Sequence, residues 1–228
     1  MNKDQLLKEM GLGPIWKLRQ PGNQQQSSGD ARCEPAVPTE TKSWEALRHE
    51  VASCKACELC KTRKQAVLGV GDEQADWLFV GEGPGAEEDE RGEPFVGQAG
   101  KLLDAMLAAI DLKRGSNVYI ANAVKCRPPN NRTPEAAETA ACWPFLSRQI
   151  ELIQPKLIVA LGKPAAQTLL QQEIKVGASR GQIHDYAGIP LIVTYHPAYL
   201  LRNLPDKAKA WEDFCYMRSF MKKNSERC

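Results

Sequence analysis

A three-layer α/β/α sandwich around a mostly parallel four-stranded sheet is predicted by three observations. Short, continuous apolar runs rich in β-branched residues recur along the chain, as strands covered on both faces require. Segments with helical periodicity separate them, the alternation expected of a parallel sheet between helical layers. Glycines and polar residues gather directly after the runs, at the strand ends where open α/β sheets bind ligands. With 228 residues, 43% of them apolar, the chain has enough material for one well-buried core.

The elements are justified in order. Residues 2 to 10 suit a short helix within an N-terminal tail, 1–20, whose Leu6, Leu7, Met10, Leu12, Ile15 and Trp16 form an apolar cluster. Residues 21–42 are rich in Pro, Gly, Gln and Ser without apolar periodicity, which reads as a flexible linker. One domain, 43–228, follows. A helix is expected near 44–53, then strands at Trp77–Val80, Val118–Ala121, Leu157–Leu161 and Leu191–Tyr195. Further helices are expected near 98–110, 134–153, 163–172 and 206–222. Parallel strands place their carboxyl ends on one edge, so the loops after them hold the candidate chemistry.

Composition restricts the class of protein. A net charge of +2 neither demands nor excludes nucleic acid, because backbone binding needs a local basic surface. No run of 18 apolar residues exists and Met1–Gln5 lacks a signal-like stretch, so a soluble, intracellular protein without a membrane partner is expected. Eight cysteines in a reducing compartment point to metal ligands or small buried hydrophobes rather than a disulfide framework.

The cysteine spacing is the sharpest local signal. Cys54 and Cys57 form a C-x-x-C pair, while Cys126 and Cys142 stand alone further along the chain. Such a set suits a tetrathiolate centre of zinc or an iron–sulfur cluster, and on spacing Cys60 rivals Cys57. The loop Gly81-Glu82-Gly83-Pro84-Gly85 has neither the spacing of a dinucleotide fingerprint nor that of a phosphate loop. Its glycines permit close approach of a flat ligand to the backbone. Asn122 ends a strand with an amide that donates and accepts in one plane, or else caps a turn. His196 precedes Pro197, which fixes it in extended backbone at a strand end, whereas His49 and His184 read as ordinary imidazoles.

Together these segments resemble the family 4 uracil-DNA glycosylases, the iron–sulfur branch of that superfamily. The residues that carry the likeness are Gly81-Glu82-Gly83-Pro84-Gly85 with Glu88-Asp89, Pro94-Phe95-Val96-Gly97, Asn122 with Lys125-Cys126-Arg127-Pro128-Pro129, and His196 through Asn203. The match spans roughly 54 to 203. The resemblance implies a [4Fe-4S] cluster on Cys54, Cys57, Cys126 and Cys142, leaving Cys33, Cys215 and Cys228 as non-ligands.

It also implies uracil-containing DNA, single- or double-stranded, as partner of a cytoplasmic, nucleoid-associated monomer. Phe95 would stack on an extruded uracil, Asn122 would pair with N3–H and O4, and His196 would donate to O2. Glu88 would stand near C5 against a thymine methyl, and Gly85 would line the base. Glu82 and the Gly83 backbone are the candidates for orienting water, since Gly83 replaces an Asp of the best-studied branch. Leu200 is either a wedge for the vacated stack or a core leucine. Arg127, Arg132 and Arg202, with Lys125, are candidate phosphate contacts. Two other classes compete: an iron–sulfur electron-transfer or redox-sensing DNA-binding module, and a zinc-stapled interaction domain.

Overall fold

The structure, a computed structural model, describes residues 43–225; the expected N-terminal tail and linker, with Cys33 and Cys228, lie outside the described residues. The four expected strands are the interior of a six-stranded sheet. In chain order the strands are β1 (Val70–Gly71), β2 (Trp77–Gly81), β3 (Val118–Asn122), β4 (Leu157–Leu161), β5 (Ile183–Tyr186) and β6 (Ile189–Thr194), arranged β1-β3-β2-β4-β6-β5. Neighbours among β3, β2, β4 and β6 are parallel, and β1 and β5 close the two edges antiparallel. These edge strands add to the predicted four. β1 spans only two residues, and β5 alternates between exposed and half-buried positions, so neither carries the apolar run that marks a central strand.

The helices are α1 (Trp44–Ser53), α2 (Ala86–Arg91), α3 (Gln98–Ala108), α4 (Ala136–Ile153), α5 (Lys163–Leu170), α6 (Val176–Ser179), α7 (Pro197–Arg202) and α8 (Asp206–Ser225). Successive strand side chains point to opposite faces, and here both faces are covered. Leu78, Val80, Ala121 and Ile158 meet Leu146 and Ile150 of α4 and Ala165 and Leu169 of α5. Trp77, Phe79, Ile120 and Val159 meet Leu103 and Leu107 of α3 and Phe214 and Met217 of α8. Two apolar layers explain why β2, β3 and β4 are buried at every position. Among the described residues no helix is long and apolar enough to cross a membrane.

Strand order decides where a ligand fits. From β2 the chain passes first to β3 on one side and then to β4 on the other. The connections leaving the carboxyl ends of β2 and β4 therefore diverge, which opens a crevice between them. The end of β6 is pinned beside it: the Thr194 hydroxyl donates to Asp213 Oδ2 at 2.7 Å, and Arg180 pairs with Asp213 Oδ1 at 2.9 Å. That anchor stands two residues before His196 and ties it to α8.

Candidate active site

The crevice holds a cavity of about 620 Å³ lined by Glu82, Gly83, Gly85, Glu88, Phe95, Asn122 and His196, with Lys163, Tyr195, Tyr199, Arg132 and Arg202 also contributing. Residues from four strand ends and the α2–α3 connection thus share one space. Asn122 closes β3 and is 2% exposed. Among the described residues its side-chain amide has no hydrogen-bond partner. The amide lines the cavity, and a ligand edge presenting one donor and one acceptor would engage both of its polar atoms.

Gly81, which the sequence singled out only as part of its glycine loop, and two residues that sequence reasoning missed, Gly100 and Arg114, make this arrangement possible. A Cβ on Gly81 would stand 2.4 Å from Asn122 Oδ1 and 2.6 Å from Phe95 Cζ, so only glycine lets the amide and the ring occupy the same floor. Phe95 has φ +55°, an uncommon conformation for a bulky residue. Arg114 holds it there, donating to the Pro94 and Phe95 carbonyls at 2.8 Å each. Gly100 clears the other side, since a Cβ would fall 1.7 Å from the Phe95 carbonyl oxygen. The available signals were a glycine at a strand's end and one inside a helix; Arg114 gave none.

His196 is the N-cap of α7, and its Nδ1 accepts the Ala198 N–H at 3.1 Å. A backbone N–H can only donate, so Nδ1 carries no proton, and the neutral ring has its proton on Nε2. Burial pushes its pKa down to about 4, the Arg202 charge acts in the same direction, and Glu88 opposes both. His196 is therefore a neutral donor near pH 7. Its ring stacks on Phe95 at 5.4 Å between centroids.

The two carboxylates differ in what holds them. Glu88 Oε2 accepts the Gly85 N–H at 3.1 Å, and Oε1 accepts those of Val96 and Gly97 at 3.0 and 3.1 Å. It ties the glycine loop to the Phe95 loop, so both walls of the cavity keep one spacing. Burial raises the pKa of Glu82, partly offset by the Thr133 hydroxyl, and the carboxyl becomes a more basic proton acceptor than an exposed one.

Of the candidate DNA contacts, Lys125 is 1% exposed and so is withdrawn from any phosphate, and the structure bears on two more. Leu200 is 1% exposed on the inner face of α7, the core position given as its alternative to a wedge; Leu201 and Leu204 are the exposed leucines nearby, at 41% and 62%. Arg132 faces the cavity, but its fork is engaged with Glu138 through bonds of 2.8 and 2.7 Å. With Glu135 also 3.3 Å away, two carboxylates already offset the Arg132 charge. Arg127 is tethered lightly, its Nε donating to Asn131 Oδ1 at 2.8 Å, and Arg202 is exposed on the rim.

A second, smaller cavity is lined by Cys54, Cys57, Cys60, Cys126 and Cys142 with Val51, Phe145, Arg63 and Lys125. The cysteines among the described residues are free thiols. Arg63 Nη1 donates to Cys126 Sγ at 2.8 Å, the Lys125 N–H to Cys142 Sγ at 3.2 Å, and the Ala56 N–H to Cys54 Sγ at 3.5 Å. Burial pushes the Cys126 thiol up to about 11 against the pull of Arg63, and raises Cys142 as well. Among the described residues no three His, Cys, Asp or Glu side chains converge on a single-ion site. The fit to a thiolate-bound cluster rests on the backbone N–H donors and the Arg63 guanidinium aimed at sulfur, which such a centre uses to hold its negative charge. Cys215 lies on α8, outside this group.

The chain belongs to the uracil DNA glycosylase superfamily, whose family model matches residues 68–215. Within that superfamily its similarity is to the type-4 branch. It is 44% identical to the Type-4 uracil-DNA glycosylase of Thermotoga maritima over 81% of this chain and 98% of that one. Those of Archaeoglobus fulgidus and Saccharolobus solfataricus are also 44% identical, over 70% and 74% of this chain and 84% and 82% of theirs.

Proposed function

We infer that the protein excises uracil from DNA, releasing the free base and leaving an abasic site for repair. The observation that carries this reading is the buried, unpartnered Asn122 amide at the floor of a cavity walled by Phe95 and His196. A nucleotide rotated out of the stack brings its base to that floor at a cost of a few kcal/mol, least at a mismatch. Uracil offers N3–H and O4 to the Asn122 oxygen and nitrogen while its ring stacks on Phe95. Cytosine presents the reverse pattern and leaves the amide unpaired, a situation that supports rejection by roughly 10⁴-fold. Glu88 and the Gly85 backbone set the wall near C5, where thymine's methyl group must be refused.

The bond between C1′ and N1 breaks heterolytically, and its electron pair passes to uracil, where charge collects on O2. The Nε2–H of neutral His196 is the donor for that oxygen, and its benefit grows as the charge develops. Water then adds to the cationic sugar carbon and gives up a proton. Glu82, with its raised pKa, is the candidate to orient that water and take the proton, with the Gly83 backbone beside it.

Cys54, Cys57, Cys126 and Cys142 would hold a [4Fe-4S] cluster, which when bound supplies a covalent brace between the start of the domain and the segment after Asn122. Arg127 and Arg202 are the proposed phosphate contacts, with Leu201 and Leu204 rather than Leu200 facing the DNA. A cytoplasmic monomer acting on single- or double-stranded DNA at the nucleoid is the accompanying proposal. The electron-carrier alternative gains no support, because electron transfer uses none of Phe95, Asn122 and His196.

The test is a single-turnover assay on U·G, U·A, single-stranded U and T·G oligonucleotides, comparing the wild type with Asn122→Ala and His196→Ala. Uracil release that both variants lose supports the reading, and release unchanged in both rejects the site.

A further inference from the structure

Lys125 is 1% exposed, a burial that an ammonium group tolerates only with partners on its protons. Its Nζ donates to the main-chain carbonyl of Asn122 at 2.8 Å and to Gln149 Oε1 at 2.5 Å. Gln149 is fully buried and fixed in turn, its Nε2 donating to the Leu68 carbonyl at 3.0 Å and the Tyr119 hydroxyl at 3.2 Å. The backbone of the same lysine is held from the other side. Its N–H reaches Cys142 Sγ at 3.2 Å and its carbonyl accepts the Val67 N–H at 2.8 Å.

We propose that Lys125 is the positioning residue for Asn122, clamping the carbonyl at the end of β3 so that the amide plane stays aimed at the base edge. The chain leaving β3 is otherwise secured beyond that point, where the N–H groups of Ala123 and Val124 donate to Gly81 and Glu82 at 2.9 and 3.1 Å. The Asn122–Ala123 peptide is planar, so it is held at both ends: its N–H by the Gly81 carbonyl across the sheet and its carbonyl by the ammonium. An apolar side chain of similar length would bury the Asn122 carbonyl and Gln149 Oε1 without their donor, and the peptide would keep only its hold on Gly81. The anchor at Cys142 means that the clamp is set from the cysteine cavity. The proposal rests on the uracil reading of the base cavity.

The experiment uses Lys125→Met in the full-length, cluster-loaded protein. Binding is measured to an oligonucleotide bearing one 2′-fluoro-2′-deoxyuridine, which resists cleavage, and to its 2′-fluoro-2′-deoxycytidine counterpart. Melting temperature and iron content are followed in parallel. The uracil-to-cytosine affinity ratio is expected to fall about tenfold, the loss of one hydrogen bond from a charged donor. In an Asn122→Ala background the same change is expected to move the ratio less than about twofold, because the two residues act as one.

A merely structural lysine would lower the melting temperature and leave the ratio alone, and that outcome, or full additivity with Asn122→Ala, overturns the proposal. Should Lys125→Met not fold, Gln149→Met removes the other support of the ammonium. Its ratio is expected to fall about threefold, and an unchanged ratio there also overturns the proposal. A wild type without preference for the uracil oligonucleotide rejects the parent reading, whereas a wild-type preference retained in Lys125→Met rejects this inference alone.

Discussion

Two cavities lie on either side of the segment from Asn122 to Cys126, and they differ in what their polar groups are doing. In the base cavity the Asn122 amide has no partner among the described residues and the Nε2–H of His196 remains available. In the cysteine cavity the sulfurs already receive donors from Arg63, Lys125 and Ala56. The first site is completed by a transient ligand, and its hydrogen-bonding capacity is kept open for it. The second, on the proposed reading, is arranged around a permanent occupant. The chemistry is therefore assigned to the first and the bracing to the second, although only a few residues separate them.

Asn122→Ala makes the strongest attack on that division. It removes both hydrogen bonds to the base edge, and uracil excision is expected to slow by roughly 10³-fold with the melting temperature little changed. A fall of less than about tenfold would mean that the base is read elsewhere. His196→Ala comes next, costing about 3 kcal/mol of transition-state stabilisation, or a hundredfold in single-turnover rate. Cys126→Ser tests the other side: it is expected to lower melting temperature and DNA affinity more than the bond-breaking rate of whatever protein stays folded. A folded, cluster-free variant with intact DNA binding and a lost chemical step would erase the distinction between the two cavities.

Much of this organisation was legible in the sequence, for identifiable reasons. The four central strands are covered on both faces, so their apolar runs are continuous and conspicuous, and the five expected helices begin and end within a few residues of expectation, whereas the short α2, α6 and α7 were not foreseen. β1 and β5 were not legible because an edge strand is short or only half-buried and leaves no such run. Asn122, His196 and the cysteines stood out as rare residue types at strand ends or tight spacings. Gly100 and Arg114 did not, and Gly81 did so only as a loop glycine, because their contribution is room and leverage for another residue, and that appears only when the backbone is in place.

Leu200 shows the same limit from the opposite direction. Its position four residues after His196 fits a wedge, yet the turns of α7 direct it inward, where it is 1% exposed. Leu200→Ala is expected to cost about 2–5 kcal/mol of stability through the cavity it leaves. Leu204, 62% exposed, buries little in the free protein, so Leu204→Ala is expected to change stability by less than about 0.5 kcal/mol while weakening binding to duplex DNA. Reversal of these two phenotypes would return the wedge to Leu200.

The smallest expected effect concerns pH, and it separates His196 from Glu82 in the base cavity. The folded His196 has a pKa of about 4, below the value of about 6.5 expected in the unfolded chain. Between those values the unfolded chain binds a proton that the folded one does not, so this group withdraws stability as pH falls from about 6.5 toward 4. The rate should nevertheless show no inflection near 6.5, because the imidazole is already neutral above its lowered pKa and donates through Nε2. Glu82 behaves differently. Its carboxyl is raised by burial, and the rate should fall as acid protonates it and removes the proton acceptor. Single-turnover rates across the acid range, compared with those of Glu82→Gln, decide between the two. An acid limb that disappears in Glu82→Gln assigns it to the carboxylate. A step near pH 6.5 that survives the substitution would mean that His196 works as a cation, and near-wild-type rates in Glu82→Gln would remove Glu82 from the reaction.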